Sequence, residues 1–459
     1  MKTDLRTTGP TKIPDQGGHP IPRDPVVQGT TSVRGEGGQE GLASFRRLRM
    51  RGLCLVLAAA GCLIQLQAAD NDAKGPTAPT PSAGSRLAPR SPITNGAEWQ
   101  NGKPVTLPGA NRPKVESAFL YRPEREWTYS HHPSLAFFKG RFYAIWSNSR
   151  KDEDSPGQRV LMATSSDFCQ WTTPRPLVDT VTDTNGVERV LTAAGFHQHG
   201  DTLVAYFGNY GPHKETTHLQ AVTTTDGANW SAVRNIGIPV NPNQGPQRTD
   251  SGRLIIAGNI SFPWSDDPSG LEGWHMTGIY PVSMAATIKD DPASFGKVAK
   301  QQRWPASLCE GSFYQTDDHV LHMLLRNVGH PPGYRLWLTE SRDDGATWSA
   351  PVETAFSDTN AKFQFGRLPD GRFYYVGNPV GSGRTPLVLS LSCDGVRFDQ
   401  HFILSDEHYE RRKPGRAKSG EYGYPHSLVH NGWLHVIISR QKEAVQVLRV
   451  ALSDLRPLK

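Results

Sequence analysis

The sequence predicts an all-β protein, a six-bladed β-propeller, from three observations. A side-chain-closed turn recurs along the chain at roughly regular intervals. Each copy sits among short apolar strands joined by Gly-containing hairpins. A segment near residues 98–122 is left over before the first unit and is free to complete the last blade. Repeats of about 40–60 residues that each hold several short strands indicate a propeller. A seventh blade built partly from 94–127 stays open at this level.

The best copy of the turn is Ser341-Arg342-Asp343-Asp344-Gly345-Ala346-Thr347-Trp348, an S-x-D-x-G-x-T-W pattern. An Asp early in such a turn accepts hydrogen bonds from the following backbone N–H groups, and Gly345 supplies a positive φ. Weaker copies end at Trp171, Trp230 and Phe398, so the closing aromatics lie 59, 118 and 50 residues apart. The doubled interval implies an unmarked copy near Asp290-Asp291-Pro292-Ala293-Ser294-Phe295. The turn itself is read as a stable hairpin element without chemistry.

The strand–turn–strand units follow in order. Ser134–Phe138 turns at Lys139-Gly140-Arg141 into Phe142–Trp146, and Leu203–Phe207 follows Gly200-Asp201. Thr249–Arg253 leads into Leu254–Ala257, and Gly311–Tyr314 passes Asp317-Asp318 into Val320–Leu325. Phe363–Phe365 turns at Pro369–Arg372 into Phe373–Val376, and Ser427–Val429 turns at Asn431-Gly432 into Trp433–Ile438.

The N-terminal part reads differently. Residues 1–49 are rich in Gly, Pro, Thr and charge, with no hydrophobic periodicity. Arg46–Arg51 then precedes the apolar run Leu53–Leu66 and Gln67-Ala68-Ala69. This is the layout of an export signal, a positive region, an apolar run and a small-residue cleavage site, over residues 50–69. Met50 is the expected true start, which makes 1–49 a spurious, disordered extension. Ala60-Gly61-Cys62 faintly resembles a lipoprotein box, but apolar sequence continues beyond it, so a secreted or periplasmic protein is expected rather than one anchored through Cys62. The apolar run is too short to span a bilayer. Residues 70–100 read as a disordered Pro/Ser/Ala/Asn linker and 101–459 as the propeller.

Residues 1–69 carry nine Lys/Arg against five Asp/Glu, four of the chain's six net positive charges. The remainder is close to neutral and gives no support for nucleic-acid binding. Three cysteines remain after residue 69, without CxxC spacing, which argues against a disulfide framework or a thiolate metal site. A monomer without cofactor is expected.

In a propeller the first strand of each blade lines the central channel, and its start faces the funnel where ligands bind. The stretches before the strands above are His131-His132-Pro133, Phe196–His199, Gly245–Arg248, Cys309–Gly311, Lys362–Gln364 and Tyr422–His426. A single such His caps strands or satisfies backbone as often as it does chemistry. Several His and carboxylates converging on one axis point to a functional funnel, and imidazole suits proton transfer near neutral pH. A metal is not expected. His131 and His132 are adjacent, and in a regular strand adjacent side chains point to opposite faces.

The turn is the Asp-box, and residues 127–459 resemble the sialidase superfamily. Such proteins hold a substrate carboxylate with three arginines, use a Tyr nucleophile paired with a Glu, and use an Asp as acid/base; they depart from the usual two-carboxylate scheme of glycosidases. The resemblance implies that Glu310 is the partner Glu, Arg335 the second arginine and Arg384 the third. It puts the acid/base within Lys151–Gln158, taken as Asp154, and the Tyr at Tyr424, with His426 also close to that register. The first arginine is missing, because His131-His132-Pro133 occupies its position. Arg248, His197 and His199 complete the expected substrate-binding set. The chain also looks like Asp-box propellers that act on acidic plant or algal glycans, including those releasing rhamnose from glucuronate, among which are both hydrolases and lyases.

The implied function is cleavage of an acidic oligosaccharide or polysaccharide with its carboxylate held by arginines. His131, His132, Asp154, Glu310, Tyr424 and His426 form the expected catalytic set. A true exo-sialidase and a non-catalytic glycan-binding propeller are the alternatives.

Overall fold

The computed structural model describes residues 91–212, 217–242, 244–279, 307–328 and 333–455. The expected signal segment, the extension before it and the turn proposed at Asp290–Phe295 lie outside the described residues. Among the described residues no helix is long and apolar enough to cross a membrane.

Alternating apolar residues and tight turns produce six successive antiparallel sheets, the blades of one propeller. Blade one contains Tyr129–Phe138, Arg141–Ser149, Arg159–Ser165 and Arg175–Val178, and blade two Val190–His199, Thr202–Tyr210, His218–Thr224 and Arg234–Asn235. Blade three contributes three short strands, Gln247–Arg248, Leu254–Ile255 and Trp264–Ser265. Blade four contains Leu308–Gln315, Leu321–Asn327, Arg335–Ser341 and Val352–Ser357, and blade five Gln364–Arg367, Phe373–Gly377, Leu387–Ser392 and Gln400–Ser405. Blade six joins Gly423–His430, Trp433–Arg440 and Ala444–Ala451 to Val115–Tyr121, a strand from before blade one. The leftover N-terminal segment therefore does complete the last blade.

The core sits between blades rather than inside one layer. Ile145, Leu191 and Phe207 fill the gap between blades one and two, and Tyr206 and Ile256 that between two and three. Ile255 with Met323, Phe356 with Phe365, Leu389 with Val436, and Trp146 with Ile437 fill the other four. Six apolar seams for six blades close the ring.

The recurring turns form as their chemistry requires. Asp343 Oδ1 accepts from the Thr347 backbone N–H at 2.8 Å, Ser341 Oγ accepts from Gly345 N–H at 2.8 Å, and Trp348 Nε1 donates to the Gly345 carbonyl at 3.1 Å. Asp226, Asp394 and Asp167 each accept from two successive backbone N–H groups in the same way.

Of the segment read as linker, residues 91–100 are ordered and residues 70–90 lie outside the described residues. Ser91–Thr94 adds a parallel strand to the outer edge of blade four, and Glu98–Gln100 pairs with Lys103–Thr106 in a small hairpin. Buried Ile93 and Asn95 anchor it. Pro and Ser disfavoured a strand there, but tertiary contacts override weak local preference.

Candidate active site

The first strands of blades one, four and six are not regular. Each carries a bulge at the same level: between His131 and Ser134, between Cys309 and Gly311, and between Gly423 and His426. The residues at these bulges take left-handed backbone conformations, with φ of 53° at His132, 45° at Glu310 and 50° at Tyr424. Arg384 (63°) and Asp154 (54°), on loops, do the same. A non-glycine residue in this region costs on the order of 1–2 kcal/mol. Bulges re-aim side chains, and such strain concentrates at functional sites. Here it turns His132, Glu310, Tyr424 and Arg384, from four separate chain segments, toward one another.

At the centre, the Tyr424 hydroxyl donates to Glu310 Oε1. Arg326 Nη1 bonds the other carboxylate oxygen, Oε2, at 2.5 Å and also donates to the Tyr424 oxygen at 3.2 Å. Asn360 Oδ1 accepts from Arg326 Nε at 2.8 Å and fixes the guanidinium plane. Burial pushes the Glu310 carboxyl upward, but Arg326, the Tyr424 hydrogen bond and Arg384 together hold it below the usual carboxylate range. Burial, reinforced by the Glu310 charge, holds the Tyr424 phenol well above its usual value. The resting pair is a phenol with its proton aimed at a carboxylate.

Arg384 completes this side. Its guanidinium carbon lies 5.5 Å from the Tyr424 ring centre, and its Nη1 is buried without a hydrogen-bond partner. A buried cationic donor left unmatched is costly unless a ligand supplies the acceptor. Gly420, at φ 98°, lets the arginine stem pass, because a Cβ there would lie 2.6 Å from Arg384 Cδ.

The opposite side is formed by His131, His132, Glu153 and Lys442. His131 is fully buried, its ring centre 4.0 Å from that of Tyr424, its Nδ1 2.7 Å from Ser439 Oγ. The Nε2 atoms of His131 and His132 lie 4.0 and 3.5 Å from Glu153 Oε1. Lys442 Nζ pairs with Glu153 Oε2 at 2.6 Å. Burial lowers the pKa of both imidazoles, well below the usual value for His131, so both rest neutral.

Several sequence expectations are corrected by this arrangement. His131 and His132 do not point to opposite faces, because the bulge at His132 breaks the alternation and both rings meet Glu153. Two imidazoles and a carboxylate form a set with metal-ligand spacing. Lys442 already supplies the cation on that carboxylate, and Arg384 and Arg326 add positive charge nearby, so the set fits an ion pair better than a metal. Asp154 is not the carboxylate facing the imidazoles; it accepts a hydrogen bond from Tyr210 at 2.5 Å, and Glu153 faces them.

Arg335 stacks 4.4 Å from the Trp99 ring and donates to the Thr354 carbonyl at 3.4 Å, while Arg326 holds Glu310. Arg326 was legible. Folding the unit back about Asp317-Asp318 sets position 326 opposite 309, and those residues do pair. Lys442 carried no such signal.

His197, His199 and Arg248 sit at the far ends of their blades' strands. The first strand of blade two begins at Val190, not after His199, so His197 and His199 lie beside the Gly200-Asp201 turn, where His199 is exposed. Exposed Arg248 reaches the Gly252 carbonyl in the next turn. His426 lies deeper in the channel than Tyr424 and accepts the Leu135 backbone N–H at 3.2 Å; burial lowers its pKa to about 3. It and His197 line a channel cavity of about 280 Å³ with Phe137, Phe196, Gln244 and Gln364, none of which belongs to the Tyr424 cluster.

The fold and this cluster define a class: a propeller whose funnel presents a tyrosine–glutamate pair flanked by arginines. A family model described as a BNR repeat-like domain matches residues 140–436, well over half of the chain, and the chain belongs to that family. Among solved structures, a protein titled sialidase is 21% identical with a TM-score of 0.53, over 75% of this chain and 33% of that one. Trypanosoma rangeli sialidase in complex with sialic acid is 13% identical with a TM-score of 0.52, over 75% of this chain and 60% of that one. A Dyadobacter fermentans protein of unknown function is 15% identical with a TM-score of 0.52, over 74% of this chain and all of that one. The chain thus spans a third to three fifths of the length of these two sialidases, and the likeness is one of fold. No curated protein sequence matches significantly.

Proposed function

We propose that the protein is an exported glycosidase that cleaves a bond to an acidic sugar, a uronate or a sialate. The observation that carries this is the Tyr424–Glu310 hydrogen bond inside a ring of cations, of which Arg384 offers a buried, unmatched donor. A substrate carboxylate supplies the missing acceptor, held between Arg384 and Arg326, and planar guanidinium contacts select for it. Tyr424 oxygen then attacks the anomeric carbon while Glu310 takes the phenol proton. The leaving oxygen takes a proton from the Lys442 ammonium, whose pKa burial lowers, passed through the Glu153 carboxylate that it bonds. Water reverses these proton movements to release the sugar.

A second reading is favoured by the stacked, neutral His131 beside Tyr424. In a lyase, His131 removes the proton α to a uronate carboxylate while Arg384 stabilises the enolate, and the C–O bond at the β-carbon then breaks as the Tyr424 hydroxyl protonates the leaving oxygen. One experiment separates the readings. Purified protein incubated with acidic oligosaccharides is followed for new reducing ends and for the ultraviolet absorbance of an unsaturated uronate. Ends without absorbance are expected. Ends with absorbance establish elimination, and neither product from any acidic glycan overturns the enzymatic reading in favour of a binding propeller.

A further inference from the structure

The loop from Asn378 to Pro386 carries Arg384; within it Asn378 Nδ2 donates to the Arg384 carbonyl at 2.9 Å, Thr359 N–H donates to the Asn378 carbonyl at 3.0 Å, and blade six holds one side. There Tyr422 N–H donates to the Arg384 carbonyl at 3.1 Å and Glu421 N–H to the Gly383 carbonyl at 2.7 Å. Its other side is held by residues that precede the propeller. Buried Asn95 donates through Nδ2 to Ser357 Oγ at 2.9 Å and accepts from Ser357 N–H at 3.0 Å. Ser357 Oγ in turn reaches the Pro379 carbonyl at 2.7 Å. Gly381 N–H donates to the Pro104 carbonyl at 3.3 Å. Buried Leu107 packs with Val380 and Val388 in a small apolar cluster to which Ala97 and Ala110 also belong.

We propose that residues 94–107 are a strap that positions Arg384 for the substrate carboxylate, with Asn95 and Leu107 as its positioning residues; this rests on the carboxylate role given to Arg384 above. Three kinds of contact converge on one loop: a side-chain relay through Ser357, a backbone hydrogen bond and an apolar plug. None of them serves a blade's own strand ladder. The loop they hold places a buried cation whose exposed alternative is a well-solvated arginine, so releasing the strap frees Arg384 to leave the site. Misplacing a clamping group by about an ångström is enough to weaken catalysis severely.

The test uses Asn95→Ala and Leu107→Ala, with Val105→Ala, an exposed position on the same hairpin, as control. Amide exchange is followed by mass spectrometry in the full-length protein, alongside turnover of a carboxylated glycan and its carboxyl-reduced counterpart. The expected result is faster exchange within 378–386 in both variants and not in the control. KM for the carboxylated glycan rises several-fold, kcat changes less, and the preference over the reduced glycan shrinks. Unchanged exchange in both variants overturns the strap, as does faster exchange with unchanged KM and preference. If the wild type turns over no acidic glycan, the proposed activity falls, and exchange alone decides whether the strap holds the loop. Should Asn95→Ala fail to fold, Leu107→Ala carries the same comparison.

Discussion

Tyr424 and Glu310 stand 114 positions apart in the chain, yet the phenol of one donates to the carboxylate of the other, and Arg326 bonds both. Each residue sits at a positive φ on a bulged first strand, in blades six and four respectively. The pair exists only because two strands break their alternation at the same height in the funnel.

Tyr424→Phe removes the hydroxyl and keeps the buried ring. Turnover of an acidic glycan is expected to fall roughly 10²- to 10⁴-fold, the range of a positioned proton-transfer group, while thermal melting stays near wild type. Melting and steady-state kinetics on one preparation check both halves. Full turnover by this variant removes Tyr424 from the chemistry.

Arg326→Ala and Arg335→Ala are expected to diverge. The first leaves buried Glu310 without its strongest partner and takes away half of the carboxylate clamp. Loss of a buried, hydrogen-bonded charge costs about 2–5 kcal/mol, and the effect should be larger on carboxylated than on carboxyl-reduced substrate. Arg335→Ala loses its stacking on Trp99, about 0.5–1 kcal/mol at a partly exposed site, and should leave that preference intact. Equal kinetic effects of the two replacements contradict the assignment.

Asp358 contributes stability that falls as pH rises, whereas His131, His132 and His426, whose pKa values burial lowers, contribute in the opposite sense. Burial raises the Asp358 pKa to about 7, against the pull of Arg326 and Arg384, whereas an unfolded Asp titrates near 3.9. The fold therefore favours the protonated acid, and that stability is complete below about pH 4 and lost as pH rises toward 7. At about 1.4 kcal/mol per pKa unit the loss amounts to roughly 4 kcal/mol. Asp358→Asn should flatten this slope and be the more stable protein above pH 7. Denaturant midpoints measured from pH 4 to 8 check it.

Trp348 is half-buried and packs edge-on against Phe262 at 4.9 Å. Trp348→Ala should cost roughly 2–3 kcal/mol, below the 3–5 of a fully buried ring, without a specific fall in the turnover of the folded fraction. Wild-type melting shows instead that the ring adds nothing to the seam between blades three and four.

The blades were legible because turn chemistry is local: Asp343, Gly345 and Trp348 specify their hairpin within eight residues, and its recurrence reveals the ring. Glu310, Arg384 and Tyr424 were legible from the family resemblance and do meet. Arg335 was expected as the second arginine and Arg326 was overlooked, although the hairpin pairing about Asp317-Asp318 sets Arg326 opposite Cys309. Asp154 and Glu153 differ otherwise: which of two adjacent side chains faces the funnel depends on bulges and on left-handed residues such as His132 and Asp154, and no alternation pattern reports those. His197, His199 and Arg248 failed differently. Blade two's opening strand is long and starts at Val190, so reading it from the far hairpin placed its residues at the wrong mouth of the channel.

Blade six is stitched from both sides of the sequence, Val115–Tyr121 lying against Ala444–Ala451. His131 leans on Ser439, and Glu310 waits for Tyr424, both in that last-made blade. During synthesis, blades one to five can emerge and fold with the ring still gaping, while the early strand has no partner for more than three hundred residues. The reacting groups thus come together only after blade six has begun to form. A truncated product, even one missing only its closing strand, is expected to be inert and to bare an unpaired sheet edge prone to aggregation.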